Sequence, residues 1–232
     1  MNPYDQTPWP GEGCPQSHPD SVGAIARVFG LRAAPVERCR VLELGCAAGA
    51  NLVPMAAAFP EATFFGVDLS AEQIRAGRAE VEALGLKNLT LREGDIAALP
   101  ADLGTFDYVI AHGVFSWVPR EVQEGMFRCL RGCLAEHGVG FVSYSALPGA
   151  HARMALGEML RWHVRHEAEP KRRVERARRF AEQLAVHAVA KSGTAAALRR
   201  LVGELAAVRN QRAKGLQNYG PGDESWRACN WA

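Results

Sequence analysis

The stretch Val41-Leu42-Glu43-Leu44-Gly45-Cys46-Ala47-Ala48-Gly49 decides how this chain is read. Arg40–Leu44 is a short apolar run that breaks at Gly45, the pattern of a buried parallel strand. Gly45 lets the backbone turn sharply, because glycine enters positive φ without a steric penalty. Ala47, Ala48 and Gly49 are small and keep side chains out of the space in front of the turn. Asn51–Phe59 follows as a helix, with Pro54 tolerated in its first turn. Such a unit offers bare backbone and a helix N-terminus to a ligand.

The same alternation repeats outward. Thr63–Val67 is a second strand and ends at Asp68. Ser70 and Gln73 form a capping box opening a helix that closes at Gly85. Leu89–Arg92 is a third strand, followed by Gly94-Asp95. Phe106–Ala111 is a fourth, Pro119–Leu134 a helix and Val139–Tyr144 a fifth strand. The alternation predicts an α/β fold, a Rossmann-like doubly wound parallel sheet covered on both faces. Upstream, the prolines and glycines of residues 1–19 predict an extended arm, and Asp20 is expected to cap a helix through Val28. Beyond Pro148, residues 150–168, about 171–191 and about 194–212 read as Ala- and Arg-rich helices, and 218–232 carry no periodicity. The expected organisation is an arm (1–19), a core (20–149) and a basic helical segment (150–232).

Composition narrows the class. The chain has 232 residues, 48% hydrophobic and 22% charged, which excludes a disordered or fibrous protein. No apolar run approaches the ~20 residues that span a bilayer, and the polar, Pro-rich start is no secretory signal. The expected location is the cytoplasm. The six cysteines lack C-x-x-C pairs and read as free thiols. Cys129, Cys133 and His137 fall at helical spacing, but no fourth ligand accompanies them, so no metal is expected. Net charge is +2, split as −6 before residue 150 and +8 after it. A basic tail suits a nucleic acid, an acidic protein or the acidic front half. Residues 165–215 contain only one aromatic, Phe180, which argues against stacking on single strands.

Three acidic residues mark three successive strand ends. Glu43 stands just before the glycine turn. Asp68, at the end of the second strand, suits the two hydroxyls of a ribose. Asp95, after the third, suits an exocyclic adenine amine. The turn has the spacing Gly45-x-Ala47-x-Gly49 and not G-x-G-x-x-G. A carboxylate beside it repels a pyrophosphate and attracts a cation. S-adenosylmethionine carries a sulfonium and an ammonium, so the residues point to methyl transfer and away from hydride transfer.

Glu43-Leu44-Gly45-Cys46, Gly66-Val67-Asp68-Leu69-Ser70 and Gly94-Asp95-Ile96 resemble the first three motifs of class I S-adenosylmethionine-dependent methyltransferases. Pro15 to Asp20 (PQSHPD), Ala111 to Pro119 (AHGVFSWVP) and Val142 to Gly149 (VSYSALPG) are similar to one bacterial group. That group carries a C-terminal methyltransferase regulatory domain and includes the rickettsial-type protein lysine methyltransferases. The resemblance covers about residues 4–165; Ala47, Ala48 and Ala50 replace the usual Gly and Asp.

The resemblance implies that Glu43, Gly45, Ala47 and Asn51 surround the methionine part of the cofactor, with Cys46 and Gly49 in the same turn. It implies Asp68 on the ribose, Leu69 on the adenine, and Asp95 and Ile96 on its other side. His112, Gly113 and Val114 fall near the sulfonium, and Gln16 and His18 lie in an arm over the cofactor. His112, Tyr144 and His151 are candidates for the acceptor site, and Trp117 for a wall against an alkylammonium. The [N/D]-P-P-[Y/F] tetrapeptide of amide and adenine methyltransferases is missing after the fourth strand.

The expected acceptor is an amine such as a protein lysine. A small molecule, RNA, or a non-catalytic cofactor-binding module are the alternatives. Sheets of this class end in two further strands, which are not recognisable here. The expectation is therefore a fragment, a truncated gene product or half of an assembly, with Val139–Tyr144 as an exposed edge capable of self-association.

Overall fold

The structure is a computed structural model that describes residues 3–6, 9, 11, 13–99 and 103–187. They fall into two units that divide between Tyr144 and Ser145, with residues 3–6 and 9 grouped with the second.

The first unit is built on five parallel strands: β1 (Arg40–Leu44), β2 (Thr63–Asp68), β3 (Leu89–Glu93), β4 (Phe106–Ala111) and β5 (Leu134–Val142). Their order is β3-β2-β1-β4-β5. The chain winds outward from β1 to β3, then crosses to the other side of β1. Strand order reverses between β1 and β4, and ligands of open α/β sheets bind outside the carboxyl ends at that point.

The strands read as apolar runs because both faces are covered. Val41, Phe64, Tyr108 and Ile110 pack with residues of α2 (Pro19–Val28), α3 (Leu52–Ala58) and α4 (Ala71–Ala83). Leu42, Leu44, Val67 and Val109 pack with Met126, Cys129, Leu130 and Cys133 of α5 (Arg120–Cys133). By alternation along β1, Glu43 belongs to the face of Val41, the side of α2 and α3.

Several boundaries differ from the expectation. The arm is not uniformly extended: α1 (Pro3–Gln6) is a short helix and Pro15–Ser17 a single 3₁₀ turn. Proline's fixed φ suits a helix start, so Pro3 and Pro15 begin turns that they would break further in. For the same reason α2 begins at Pro19, and its cap is His18, whose Nδ1 accepts the Asp20 N–H at 3.2 Å, not Asp20 itself. β5 starts five residues early, directly after α5. Leu134 pairs with Phe106 and Val139 with Tyr108, so four residues of β5 bulge out against one of β4. Ser70 caps α4 as expected, accepting the Gln73 N–H at 3.2 Å.

In the second unit α6 (His151–Val164) and α7 (Pro170–His187) bury Leu156, Leu160, Val164 and Ala177 together. The His163 ring stacks on Phe180 at 4.0 Å. The expected helix at 194–212 and the aperiodic 218–232 lie outside the described residues. No described helix is long and apolar enough to cross a membrane.

Candidate functional site

The turn between β1 and α3 is tightly wound. Gly45, Ala47 and Gly49 all have positive φ, at 74°, 50° and 84°. Gly45 N–H and Cys46 N–H both donate to Val67 O, at 2.8 and 3.1 Å, fastening the turn to β2. A Cβ on Gly45 would collide with Val114 Cγ2, so the loop after β4 presses directly against this turn.

Glu43 sits beneath the turn and is 4% exposed. Asn51 Nδ2 donates to its Oε1 at 2.9 Å. Its Oε2 is buried and has no hydrogen-bond partner. Burial pushes this carboxyl up to about 7; Asn51 opposes the shift and the Asp68 charge adds to it. A buried carboxylate oxygen without a donor is a strong acceptor for a cation.

Asp68 ends β2. Its Oδ2 accepts the Ala47 N–H at 2.8 Å and its Oδ1 the Ser70 N–H at 2.9 Å. The carboxylate is thus oriented by backbone on both sides. Leu69 beside it is 46% exposed, an apolar surface at the same strand end. After β3, Asp95 Oδ1 accepts the Ala97 N–H at 2.8 Å, which caps a short 3₁₀ turn.

Not every expected residue offers its side chain. Cys46 is buried against Gly66, where a Cβ would meet its Sγ at 2.7 Å. Burial pushes its thiol well up, with the Glu43 and Asp68 charges adding. Ile96 is buried in the α5-side core. Cys46 Sγ contacts Ala47 O at 3.5 Å within the turn, and Ile96 packs beside Leu44 and Val67. Asn51 is buried too, its amide occupied by Glu43, Ser17 and Cys14. Gln16 Oε1 accepts from Cys14 Sγ at 3.3 Å, and the His18 ring lies 5.8 Å from Phe59.

At the end of β4, His112 Nδ1 lies 3.0 Å from Ser143 Oγ. The same oxygen accepts the Gly113 N–H at 2.9 Å, where φ is +68°. Ser143 therefore holds the two loops together, a role the sequence reading missed. No local pattern signals it, since its partners lie 30 and 31 residues away. Phe115 contacts Tyr144 edge-on at 6.1 Å and Phe127 at 5.6 Å. Trp117 and Tyr144 are 47% and 67% exposed. Neither Phe115 nor Phe127 stands out in the sequence as a site residue. His151 opens α6 in the second unit and is exposed there.

Cys129 Sγ and Cys133 Sγ lie 3.7 Å apart inside the core, whereas His137 Nε2 accepts from Arg32 Nε at 3.0 Å. The three do not converge.

Comparison with known proteins gives a consistent picture. Residues 41–138 match the family model described as a methyltransferase domain. The chain is 40% identical over 162 residues to the uncharacterized protein RP789 of Rickettsia prowazekii, covering 70% of this chain and 29% of that protein. It is 36% identical over 160 residues to the uncharacterized protein RP028 of the same organism, covering 69% and 64%. The structure of PKMT2 from Rickettsia typhi in complex with AdoHcy superposes with a TM-score of 0.76 at 30% identity, covering 86% of this chain and 38% of that one. The chain thus spans less than two thirds of each of these relatives.

Proposed function

We propose that this chain, which carries a class I S-adenosylmethionine-dependent methyltransferase domain of rickettsial type, binds S-adenosylmethionine in the Glu43 crevice and transfers its methyl group to the side-chain amine of a protein lysine. One observation carries the cofactor reading: the buried, unpartnered Glu43 Oε2 under a turn whose backbone is bare. That oxygen fits an ammonium and disfavours a pyrophosphate. The AdoHcy complex of the similar PKMT2 supports the same reading. The lysine acceptor rests on the resemblance of the AHGVFSWVP and VSYSALPG segments to lysine methyltransferases.

When bound, S-adenosylmethionine supplies an electrophilic methyl group. Glu43 balances the ammonium charge. Asp68, oriented by the Ala47 and Ser70 amides, faces the ribose hydroxyls, and Leu69 offers a flat apolar surface to the adenine. Gly113 and Val114 line the crevice at the reversal point of the sheet, and His112 is braced there by Ser143. Fixing donor and acceptor in line supplies up to ~7–11 kcal/mol of the barrier. Phe115 and Tyr144, edge-on at 6.1 Å, and the exposed Trp117 offer ring faces that attract the incoming alkylammonium, which must lose its proton before it attacks. The five described cysteines are free and buried, in keeping with a reducing cytoplasm.

The decisive experiment is transfer of a radiolabelled methyl group to a lysate, digested afterwards with protease or nuclease. Label released by protease and recovered as methyl-lysine supports the proposal. Label released by nuclease, or residing in small molecules, replaces the acceptor. No binding of S-adenosylmethionine by calorimetry overturns the cofactor reading itself.

A further inference from the structure

We propose that Asn51 is a positioning residue that clasps the Cys14–Ser17 turn of the N-terminal segment onto the floor of the crevice, through the same amide that holds Glu43. Asn51 Oδ1 accepts the Cys14 N–H at 2.8 Å. Its Nδ2 donates to Ser17 Oγ at 3.1 Å and to Glu43 Oε1 at 2.9 Å. Ser17 Oγ in turn donates to Cys14 O at 2.9 Å. One buried side chain thus commits both donors and its acceptor to two segments 37 and 8 residues distant.

Independent packing follows the same line. A Cβ on Gly11 would come within 2.8 Å of Ala50 Cβ, so the segment runs against the residue beside Asn51. His18 ends the contact against Phe59, at the far end of α3. Ser17 is fully buried, whereas Gln16 beside it is exposed. The turn is therefore anchored at Cys14 and Ser17, which bracket Gln16 and adjoin His18 and so fix where both stand.

The consequence is a coupling. A ligand cation that draws Glu43 into full ionisation strengthens the bond from Asn51 Nδ2, since hydrogen bonds to charged groups exceed neutral ones. The clasp on Cys14 and Ser17 tightens with it, so the arm orders as the crevice fills. This last step rests on the cofactor reading above; the hold of Asn51 on the arm does not.

Amide hydrogen exchange of the ligand-free chain tests the clasp. Asn51→Ala is expected to cost the Cys14, Ser17 and His18 amides roughly tenfold in protection, about one buried hydrogen bond's worth, with β1 and β4 amides unchanged. Unchanged protection at 14–18, or an equal loss across the sheet, overturns the proposal. If Asn51→Ala does not fold, Ser17→Ala replaces it: a local loss at 14–18 supports the clasp, and no loss or a uniform one overturns it. For the coupling, S-adenosylmethionine added to the wild type is expected to raise protection at 14–18, and in Asn51→Ala to leave it unraised. An equal rise in both overturns the coupling. A wild type that binds no S-adenosylmethionine refutes the cofactor reading and the coupling together, while exchange in the ligand-free chain still decides the clasp.

Discussion

Asp68 Oδ2 accepts the Ala47 N–H at 2.8 Å, which ties the carboxyl end of β2 to the turn that follows β1. The two strands are already paired, Leu44 against Val67. The side chain adds a second fastening at the point where the backbone is most contorted. Asp68→Asn keeps the size but replaces one acceptor oxygen with a donor facing a backbone N–H. The expected loss is ~1–3 kcal/mol of stability, the cost of an unmade buried bond, together with weaker cofactor binding. Chemical denaturation and calorimetry on the same variant check both.

Ala47 stands at φ +50°, in a region that non-glycine residues occupy at a cost of ~1–2 kcal/mol. Ala47→Gly removes that strain but loosens the unfolded chain. The net expectation is stabilisation by ~0.5–1 kcal/mol, with crevice geometry retained. A melting temperature that falls would show that the methyl group is needed for packing.

Glu43 makes the ligand-free protein pH-sensitive. Its carboxyl is raised from 4.5 to about 7 by burial, so the folded state favours the proton. The stability this gives is fully present below 4.5 and is lost as pH rises through 7. The loss is about 3 kcal/mol at most, and Glu43→Gln is expected to abolish it. Cofactor binding has the opposite sign, because an ammonium requires the ionised carboxylate. Affinity is expected to rise up to about tenfold per pH unit below 7 and then level off. In Glu43→Gln it is expected to be weak, roughly 10–100-fold down, and flat across that window. Calorimetry between pH 5.5 and 8, a range of about 2.5 units, reads both slopes.

What the sequence made legible follows from separation along the chain. The alternation marks three strand ends: Glu43 is the penultimate residue of β1, Asp68 the last of β2, and Asp95 stands two residues past β3. The sheet follows from the same alternation. What Asp68 does with its oxygens was less visible, because its partner Ala47 lies 21 residues away on another element. The Asn51–Ser17–Cys14 contacts span 34 and 37 residues and leave no local pattern. The bulge in β5 escaped for a different reason. Leu134 satisfies the helical period of α5 and also pairs with Phe106, so one residue serves two elements.

Gly45 is constrained twice, by φ +74° and by the side chain of Val114. The two constraints are separable. Gly45→Ala is expected to cost ~2–4 kcal/mol from strain and overpacking together. Adding Val114→Ala relieves the collision but not the backbone, so about half of the loss is expected to return. Full recovery in the double variant would show that the backbone bears no strain. Denaturation midpoints of the three proteins decide it.

Ser143 links the loop that follows β4 to the residues that follow β5. Its hydroxyl accepts the Gly113 N–H and contacts His112 Nδ1, while its own N–H pairs with Ala111 O at 3.1 Å. Ser143→Ala leaves the backbone pairing intact and removes both side-chain contacts. Neither contact involves Glu43 or Asp68, so cofactor affinity is expected to stay within about twofold. His112 and Gly113 lose their brace, and misplacement of a loop by a fraction of an ångström slows transfer. The expected outcome is a fall in kcat of roughly tenfold to a hundredfold with KM for the cofactor unchanged. Ser143→Thr, which keeps the hydroxyl, is expected to restore much of the rate. A parallel loss of cofactor affinity in Ser143→Ala would instead place Ser143 among the residues that shape the cofactor site itself.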